Sequence, residues 1–187
     1  MSNVLSPDQL VSIANQFGSP VYIYHAEKIA EQYNKLVHSF KGDVKFYYAC
    51  KALSNVNILK YIQSLGASLD CVSIHEVRLG LMAGFNSNTI LYTPNCVDFE
   101  EILEAKELGV IINIDNISIL EQFGNRFGNT YPVCVRLNPH IMAGGNFKIS
   151  TGHIDSKFGI SIHQMRHIER IVKTKVKCYR NTYAYRQ

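Results

Sequence analysis

Short apolar runs recur along the chain at a nearly constant interval, with helix-length segments between them. Five runs are typical of β-strands, and the centre of each lies 21 or 22 residues after the one before: Tyr47, Leu69, Leu91, Ile112 and Val133. A strand–helix unit repeated in this way predicts a parallel sheet, because each crossover helix returns the chain to the same edge. The even spacing and the short loops favour a (β/α) barrel over a Rossmann sheet. No G-x-G-x-x-G follows the first of these strands, which also argues against a dinucleotide-binding fold.

The helices between the strands begin and end at residues that favour helix termini. Their predicted starts are Ser54, Ser73 with Glu76, Asp98, and Ser118 with Glu121. The two Ser and Glu pairs fit capping boxes. The predicted stops are Gly66, Gly84, Gly109 and Gly124.

The N-terminal region is predicted to form a helix, a strand and a second helix. Ser6 caps the first helix, Pro7 suits its first turn and Gly18 ends it. The run Val21–Tyr24 predicts a short strand. The second helix carries its apolar residues on one side: Ile29, Ala30, Tyr33, Leu36 and Val37.

The number of strands indicates an incomplete barrel. A complete TIM-type barrel has eight strands in about 250 residues. The 187-residue chain provides five clear strands, a long loop and a last helix from Ile162 to Ile171. The predicted fold class is therefore α/β, an incomplete (β/α)8 TIM-type barrel. Residues 1–24 are predicted to form the N-terminal helix and strand, residues 25–177 the partial barrel, and residues 178–187 a tail.

Composition narrows the function classes. Hydrophobic residues make up 47% of the chain, which is ordinary for a globular domain, and the net charge of +4 is mild. The basic residues near the end of the chain begin with the spacing of a solvated helix face, so nucleic-acid binding is not expected. They are Arg166, Arg170, Lys173, Lys175, Lys177 and Arg180. The start lacks the pattern of a secretory signal, and no window approaches the roughly 18 apolar residues of a membrane span. We therefore expect a cytoplasmic protein without membrane contact.

The cysteines do not indicate a disulfide framework. Five are scattered along the chain without a CxxC pair: Cys50, Cys71, Cys96, Cys134 and Cys178. They are typical of buried free thiols in a reducing compartment, and neither disulfides nor a zinc site is expected.

Polar side chains follow the predicted strands at their C-terminal ends, where barrels gather their active sites. The first strand ends at Lys51, and a partly desolvated amine placed there can form a Schiff base with an aldehyde. The alternative is a lysine whose stem only covers apolar surface. The other strand ends carry Asp70, Ser73, Thr93, Pro94, Asn95, Asp115, Asn116, Arg136 and Asn138. Structural alternatives exist here as well, since Ser73 and Asp115 suit helix caps and Asn95 suits a turn. Glu76 fits a capping box better than a catalytic acid.

Four segments together resemble the diaminopimelate decarboxylase family, in the fold-type III, alanine-racemase-like group of pyridoxal phosphate (PLP) enzymes. They are Tyr-Tyr-Ala-Cys-Lys51-Ala-Leu-Ser-Asn, Asp70-Cys-Val-Ser73-Ile-His-Glu76, Arg136-Leu-Asn-Pro and Ser150-Thr-Gly-His-Ile-Asp-Ser-Lys157-Phe-Gly. The resemblance runs from about residue 18 to residue 160. The long glycine-bearing loop between the last two segments is expected to close over a site.

The resemblance implies a cofactor, a reaction and three site residues. Lys51 would hold PLP as a Schiff base, Asp70 would lie near the cofactor amine, and Arg136 would lie beside the cofactor ring. The α-carboxylate of an amino-acid substrate, meso-diaminopimelate, would leave as CO2 to give L-lysine. The full-length form would be a homodimer, and Val21–Tyr24 would belong to a β-domain that is mostly missing from this chain.

The end of the chain departs from the family. The later strands of the family supply a glycine-rich phosphate site, an acidic partner for the pyridine nitrogen and a histidine on the ring, and none of these can be found here. The residues from Lys177 onward are not typical of a sixth strand. The residues from Cys178 onward can be back-translated with one choice of codons. When that DNA is read one base later, it encodes the His-Met-His-Thr-Gly segment that the family carries at its sixth strand. We hypothesise a frameshift near Cys178 and predict that this chain alone is inactive, or nearly so.

Other interpretations remain open from the sequence. They are another decarboxylase of the same group, an amino-acid racemase, a non-catalytic barrel that carries PLP, and an unstable product without function.

Overall fold

The computed structural model describes residues 5–141 and 157–178. Its centre is a five-stranded parallel sheet whose spatial order follows the chain. The strands are β1 (Tyr47–Ala49), β2 (Ser68–Cys71), β3 (Ile90–Tyr92), β4 (Ile111–Ile114) and β5 (Cys134–Val135). Each neighbouring pair is parallel. The predicted repeat of parallel strands is therefore confirmed, with each strand within a residue of its predicted centre.

Helices connect the strands and cover one face of the sheet. The α-helices are α1 (Pro7–Phe17), α2 (Ala26–His38), α3 (Val56–Ser64), α4 (Ile74–Met82), α5 (Phe99–Glu107), α6 (Ile117–Phe127) and α7 (Met165–Thr174). Short 3-10 turns lie at Cys50–Ala52, Ser87–Thr89 and Ile162–Gln164. A separate two-stranded parallel ladder pairs β6 (Leu137–Asn138) with β7 (Ile160–Ser161).

The hydrophobic core lies between the sheet and the helices from α3 to α7. Its largest fully buried side chains include Leu69, Ile90, Tyr92, Ile112 and Ile114 from the strands, and Leu59, Ile102, Leu120, Phe123 and Ile171 from the helices. Successive side chains of a strand point to opposite faces. In β3 the outer residues Ile90 and Tyr92 are buried while Leu91 between them is only half-buried. The helix-facing side of the sheet is therefore the better covered one.

Two helices begin at residues other than those predicted. Asn55, rather than Ser54, caps α3, because its side-chain oxygen accepts hydrogen bonds from the N–H groups of Asn57 and Ile58. Asn116 caps α6 in the same way, so the predicted capping box of Ser118 and Glu121 is wrong. Asparagine competes with serine as a cap because its side-chain oxygen reaches the same N–H groups.

The capping box predicted at the start of α4 forms only in part. Ser73 accepts a hydrogen bond from the N–H of Glu76. The Glu76 carboxylate accepts from the N–H of Val72 at 2.8 Å, one residue before the cap. Glu76 thus ties α4 to the end of β2.

The predicted strand Val21–Tyr24 is wrong. The structure has no strand at these residues, and all four side chains are exposed, Tyr22 to 89%. A strand needs a hydrogen-bonding partner, and the described residues offer none at this position. The preceding helix α1 forms as predicted, with a capping box between Ser6 and Gln9, but it buries no residue.

The end of α7 leads into the position of a sixth strand. The N–H of Val133 donates to the carbonyl of Lys177 at 3.0 Å, and Val133 forms a parallel bridge with Cys178. This is an isolated bridge and not a strand, and residues 179–187 of the predicted tail lie outside the described residues, so the expectation that this segment is unsuited to a sixth strand stays a prediction. In the part of the chain that the structure describes, no helix combines the length and apolarity needed to cross a membrane.

Gly124 is a packing position rather than the predicted end of a helix. It lies inside α6, which continues to Phe127 and is followed by Gly128 at a φ of 56°. A Cβ atom at Gly124 would lie 2.6 Å from Val176 and 2.9 Å from Lys175 Cβ. Only glycine lets the segment after α7 approach α6 this closely.

We predict that Gly124→Ala destabilises the protein by about 1–3 kcal/mol, because the added methyl group overpacks the contact with Val176. Alanine is the better helix former by roughly 1 kcal/mol, so the intrinsic effect has the opposite sign. Urea unfolding measures the free energy of unfolding. Asn125→Ala, at the exposed neighbouring position of α6, is the control and should change stability little. Equal or greater stability of Gly124→Ala would contradict the packing argument.

Candidate functional site

A cavity of about 270 Å³ lies at the C-terminal ends of the strands. Its lining consists of Lys51, Val72, Thr93, Asn95, Arg136, Lys157 and Phe158. The first five of these residues lie within three residues of the C-terminal ends of β1, β2, β3 and β5. The sequence therefore predicted correctly that polar strand ends meet at one edge of the sheet.

Lys51 reaches the cavity from the 3-10 turn Cys50–Ala52, which follows β1 without a break. Its side chain is exposed, so the partial desolvation expected from the sequence is not observed. The reason is the position of β1, which among the described strands has β2 as its single neighbour. The amine is accessible to a ligand and to water.

Arg136 is held rigidly on the opposite side of the cavity. Only 8% of it is exposed, and its guanidinium lies 4.7 Å from the centre of the Phe158 ring. Its N–H donates to the carbonyl of Ile114, and its own carbonyl accepts from the N–H of Ile160, both at 2.8 Å. Such a cation–π contact contributes about 0.5–2 kcal/mol. Arg136 therefore offers a preorganised positive charge.

The position of Phe158 depends on the glycine that follows it. Gly159 has a φ of +79°, and a Cβ atom there would lie 3.1 Å from the backbone of Leu137 and Asn138. Both the left-handed conformation and this close backbone approach favour glycine. Gly159 thus allows the Lys157–Phe158 segment to close against the end of β5.

A half-buried carboxylate, that of Asp115, lies beside the cavity. The Asn95 amide donates to Asp115 Oδ2 at 2.7 Å and to the carbonyl of Lys157 at 3.1 Å. Burial raises the pKa of Asp115, and the hydrogen bond from Asn95 and the charges of Arg136 and Lys157 offset part of this effect. Asn95, Asp115 and Lys157 also line a neighbouring cavity of about 310 Å³.

Asp70 does not line the 270 Å³ cavity. It pairs with Ala49 on one side and Leu91 on the other, two residues before Val72 of the lining. Because side chains alternate along a strand, Asp70 shares the face of Val72 but lies one layer deeper in the barrel. The structure thus brings Lys51 and Arg136 together and places Asp70 below them.

Other candidates from the sequence have structural roles. Ser73 and Asn116 cap helices α4 and α6. Asn138 accepts a hydrogen bond from the N–H of His140 at 3.0 Å. Three of the five cysteines are buried, whereas Cys96 is exposed, so the expectation of buried thiols fails there.

Two lining residues were not singled out from the sequence as site residues. Lys157 and Phe158 were noted only as part of the Ser-Lys-Phe-Gly segment, and that motif is the signal that could have identified them. Most of the loop expected to close over the site, residues 142–156, lies outside the described residues.

The donor set of the cavity suits an anionic ligand. Lys51, Arg136 and Lys157 bring three positive charges to one space, and Thr93 and Asn95 add hydrogen-bonding groups. A primary amine among them can form a covalent bond with an aldehyde. The residues present therefore fit a phosphorylated aldehyde such as PLP.

The fold and the cavity together are those of a partial parallel α/β barrel that carries a lysine at its strand ends. The model of the pyridoxal-dependent decarboxylase family, pyridoxal-binding domain, matches residues 26–176. The chain belongs to this family.

Curated relatives and solved structures agree with that assignment. The chain is 33% identical over 164 residues to diaminopimelate decarboxylase of Methanothermobacter thermautotrophicus, covering 86% of this chain and 38% of the relative. It is 34% identical over 161 residues to the Pseudomonas fluorescens enzyme of the same name, covering 82% and 38%. The structure of diaminopimelate decarboxylase from Helicobacter pylori complexed with L-lysine aligns with a TM-score of 0.81 at 28% identity, over 90% of this chain and 44% of that one. The chain thus spans about two-fifths of the length of the relatives it matches.

The half-buried carboxyl group of Asp115 predicts a pH dependence of stability. Because the pKa of Asp115 is raised in the folded state, its protonated form favours folding. This contribution is complete below the ordinary carboxyl pKa and is lost as the pH rises through the raised value. Asp115→Asn should therefore be more stable than the unsubstituted protein at neutral pH, and the difference should shrink in acid. Urea unfolding at a series of pH values measures it.

Asp43→Asn, at an exposed loop position, is the matched control and should keep the pH profile of the unsubstituted protein. A stability difference for Asp115→Asn that grows as the pH falls would show that burial does not dominate at this carboxylate.

Proposed function

We propose that this chain carries the cofactor-attaching part of a PLP-dependent decarboxylase that converts meso-diaminopimelate to L-lysine. One observation carries the proposal: Lys51, at the carboxyl end of β1, shares a cavity with the buried cation Arg136. Membership of the pyridoxal-dependent decarboxylase family supplies the context.

In this proposal Lys51 binds the cofactor aldehyde covalently through its amine. The exposure of the side chain supports this role, because the amine is accessible from the cavity. When bound, PLP supplies a pyridine ring that withdraws electrons from the bond broken in decarboxylation. The contribution of Lys51 would be to hold the cofactor in the cavity at the strand ends.

Arg136 and Lys157 bind and orient negative charge in the same proposal. Arg136 is restrained by Phe158 and by two main-chain hydrogen bonds, so little side-chain freedom is lost when an anion binds. Asp70, one layer deeper, acts electrostatically on the amine end of the site rather than by lining the cavity. The sequence resemblance implied the position of Asp70 near the cofactor amine and that of Arg136 beside the cofactor ring, whereas the role of Lys157 is proposed from the cavity alone.

The substrate is proposed from the relatives. Curated relatives at 28–34% identity carry the name diaminopimelate decarboxylase, and three of the similar solved structures are complexed with L-lysine. The motif Ser-Thr-Gly-His…Ser-Lys-Phe-Gly favours this specificity over that of other decarboxylases of the group. A homodimeric full-length form is part of the same proposal.

Attachment of the cofactor tests the proposal directly. We predict that PLP followed by borohydride places a pyridoxyl group on Lys51, because the reduction makes its bond to the aldehyde permanent. Peptide mass mapping locates the label. In Lys51→Ala, labelling of this peptide should fall to background.

Lys60→Ala is the control, since Lys60 is an exposed lysine on α3, away from the cavity lining. This variant should be labelled at Lys51 as strongly as the unsubstituted chain. Labelling spread evenly over surface lysines, or unchanged total labelling in Lys51→Ala, would disprove the assignment.

Turnover by this chain alone should be negligible. The amine of Lys51 is open to water beside the edge strand β1, and exclusion of water strengthens the electrostatic interactions of an active site. Incubation of the PLP-loaded chain with meso-diaminopimelate should yield no L-lysine above the Lys51→Ala background. Lysine formation at the rate of a full-length relative, assayed in parallel, would refute this prediction.

A further inference from the structure

Two cysteines lie side by side behind the wall of the cavity. Cys50 follows β1 and Cys71 ends β2, and neither is exposed. Ala49 pairs with Asp70 in the parallel ladder, so the next residue of each strand, Cys50 and Cys71, are also neighbours. Their thiols point to the helix-covered side of the sheet, opposite to Lys51.

A carboxylate completes the group. The sulfur atoms of Cys50 and Cys71 and one oxygen of Glu76 all lie within 4.8 Å of one another. Glu76 belongs to the first turn of α4, and its Oε2 is fixed by the hydrogen bond from the Val72 N–H at 2.8 Å. Three ligand atoms from three elements therefore converge without rearrangement of the backbone.

The electrostatics of this cluster favour a cation. The carboxylates of Glu76 and Asp70 both lie close enough to act electrostatically on the two sulfur positions. Negative charge thus collects around the sulfurs, and a bound cation would neutralise it.

We propose that Cys50, Cys71 and Glu76 form a binding site for a thiophilic divalent cation of the Zn²⁺ or Cd²⁺ type. Zinc–sulfur bonds of about 2.3 Å in tetrahedral geometry place two sulfurs roughly 3.8 Å apart, within the spread of these atoms. Binding forms two metal–thiolate bonds and one metal–carboxylate bond, and the two thiol protons pass to solvent.

The site would restrain the segment that carries Lys51. Cys50 and Lys51 are consecutive residues of one 3-10 turn, next to the strand at the open edge of the described sheet. A cation shared by Cys50, Cys71 and Glu76 would link this turn to β2 and α4. The alternative is a pair of thiols that only fill space in the core. In that alternative the carboxylate of Glu76 only ties α4 to the end of β2 through its hydrogen bond with the Val72 N–H.

Cadmium titration of the full 187-residue chain, reduced with a phosphine, tests the site. The thiolate-to-cadmium absorption in the ultraviolet should saturate at one equivalent, with release of two protons per cation. Because removal of even an outer-shell partner weakens metal affinity 10- to 100-fold, Cys50→Ser and Cys71→Ser should lose at least about 100-fold and Glu76→Gln about 10-fold. Unchanged affinity in the two serine variants would overturn the proposal.

Three matched controls are available within the chain. Cys134→Ser removes a buried thiol and Cys96→Ser an exposed one, and both should bind cadmium like the unsubstituted chain. Lys51→Ala should do the same, so the metal site and the cofactor site can fail independently. Losses in the Cys134 or Cys96 variant as large as those in the Cys50 variant would count against the site.

A measurement on the unsubstituted chain covers the case in which a variant does not fold. X-ray absorption at the zinc edge of the zinc-loaded chain should show two sulfur ligands, with oxygen or nitrogen completing the shell. A shell without sulfur, or one with four sulfurs, would overturn the proposal.

Discussion

The parallel register of the strands determines where every candidate residue of this protein lies. Tyr47 pairs with Ser68, Leu69 with Ile90, and Asn113 with Cys134, so the strands advance together from one edge of the sheet to the other. Their C-terminal ends consequently share one edge, and the residues that follow them meet there. A shift of the β1 register by one residue would turn each of its side chains to the opposite face of the sheet. Lys51 would then lie on the helix-covered side and Cys50 on the side of the cavity.

This constraint gives consecutive residues different environments. Lys51 opens into a polar cavity, whereas Cys50 is fully buried on the side of α4. The same alternation separates Val72, which lines the cavity, from Cys71, which lies beside Cys50. One turn of backbone therefore connects the proposed cofactor site to the proposed metal site, although no side chain belongs to both.

Much of the fold could be predicted from the sequence because its signals are local. The period of the apolar runs predicted the positions of the strands. Ser6 and Asp98 predicted the starts of two helices, and both residues cap those helices in the structure. Predictions failed where tertiary contacts decide the outcome. Gly124 resembles a helix stop but serves close packing against Val176, and Val21–Tyr24 has strand-forming residues but no partner strand among the described residues.

The site was predictable to a similar extent. That strand ends converge follows from topology, so Lys51, Thr93, Asn95 and Arg136 were correctly placed together. The depth of Asp70 could not be read from its position after an apolar run, because it depends on the pairing of Asp70 with Ala49 and Leu91. Cys50 and Cys71 were scattered cysteines in the sequence and became neighbours only through the same pairing.

Two of the three proposed ligand-binding cations of the cavity, Arg136 and Lys51, differ in how the fold supports them. Arg136 is buried and held by an aromatic ring and two main-chain hydrogen bonds, so its position is set before any ligand arrives. Lys51 is exposed on a short turn beside an edge strand. A covalent bond tolerates this freedom, because bond formation itself fixes the amine, whereas recognition of an anion depends on a charge already in place. The fold therefore buries and packs the residue that must recognise charge and leaves exposed the residue that must react.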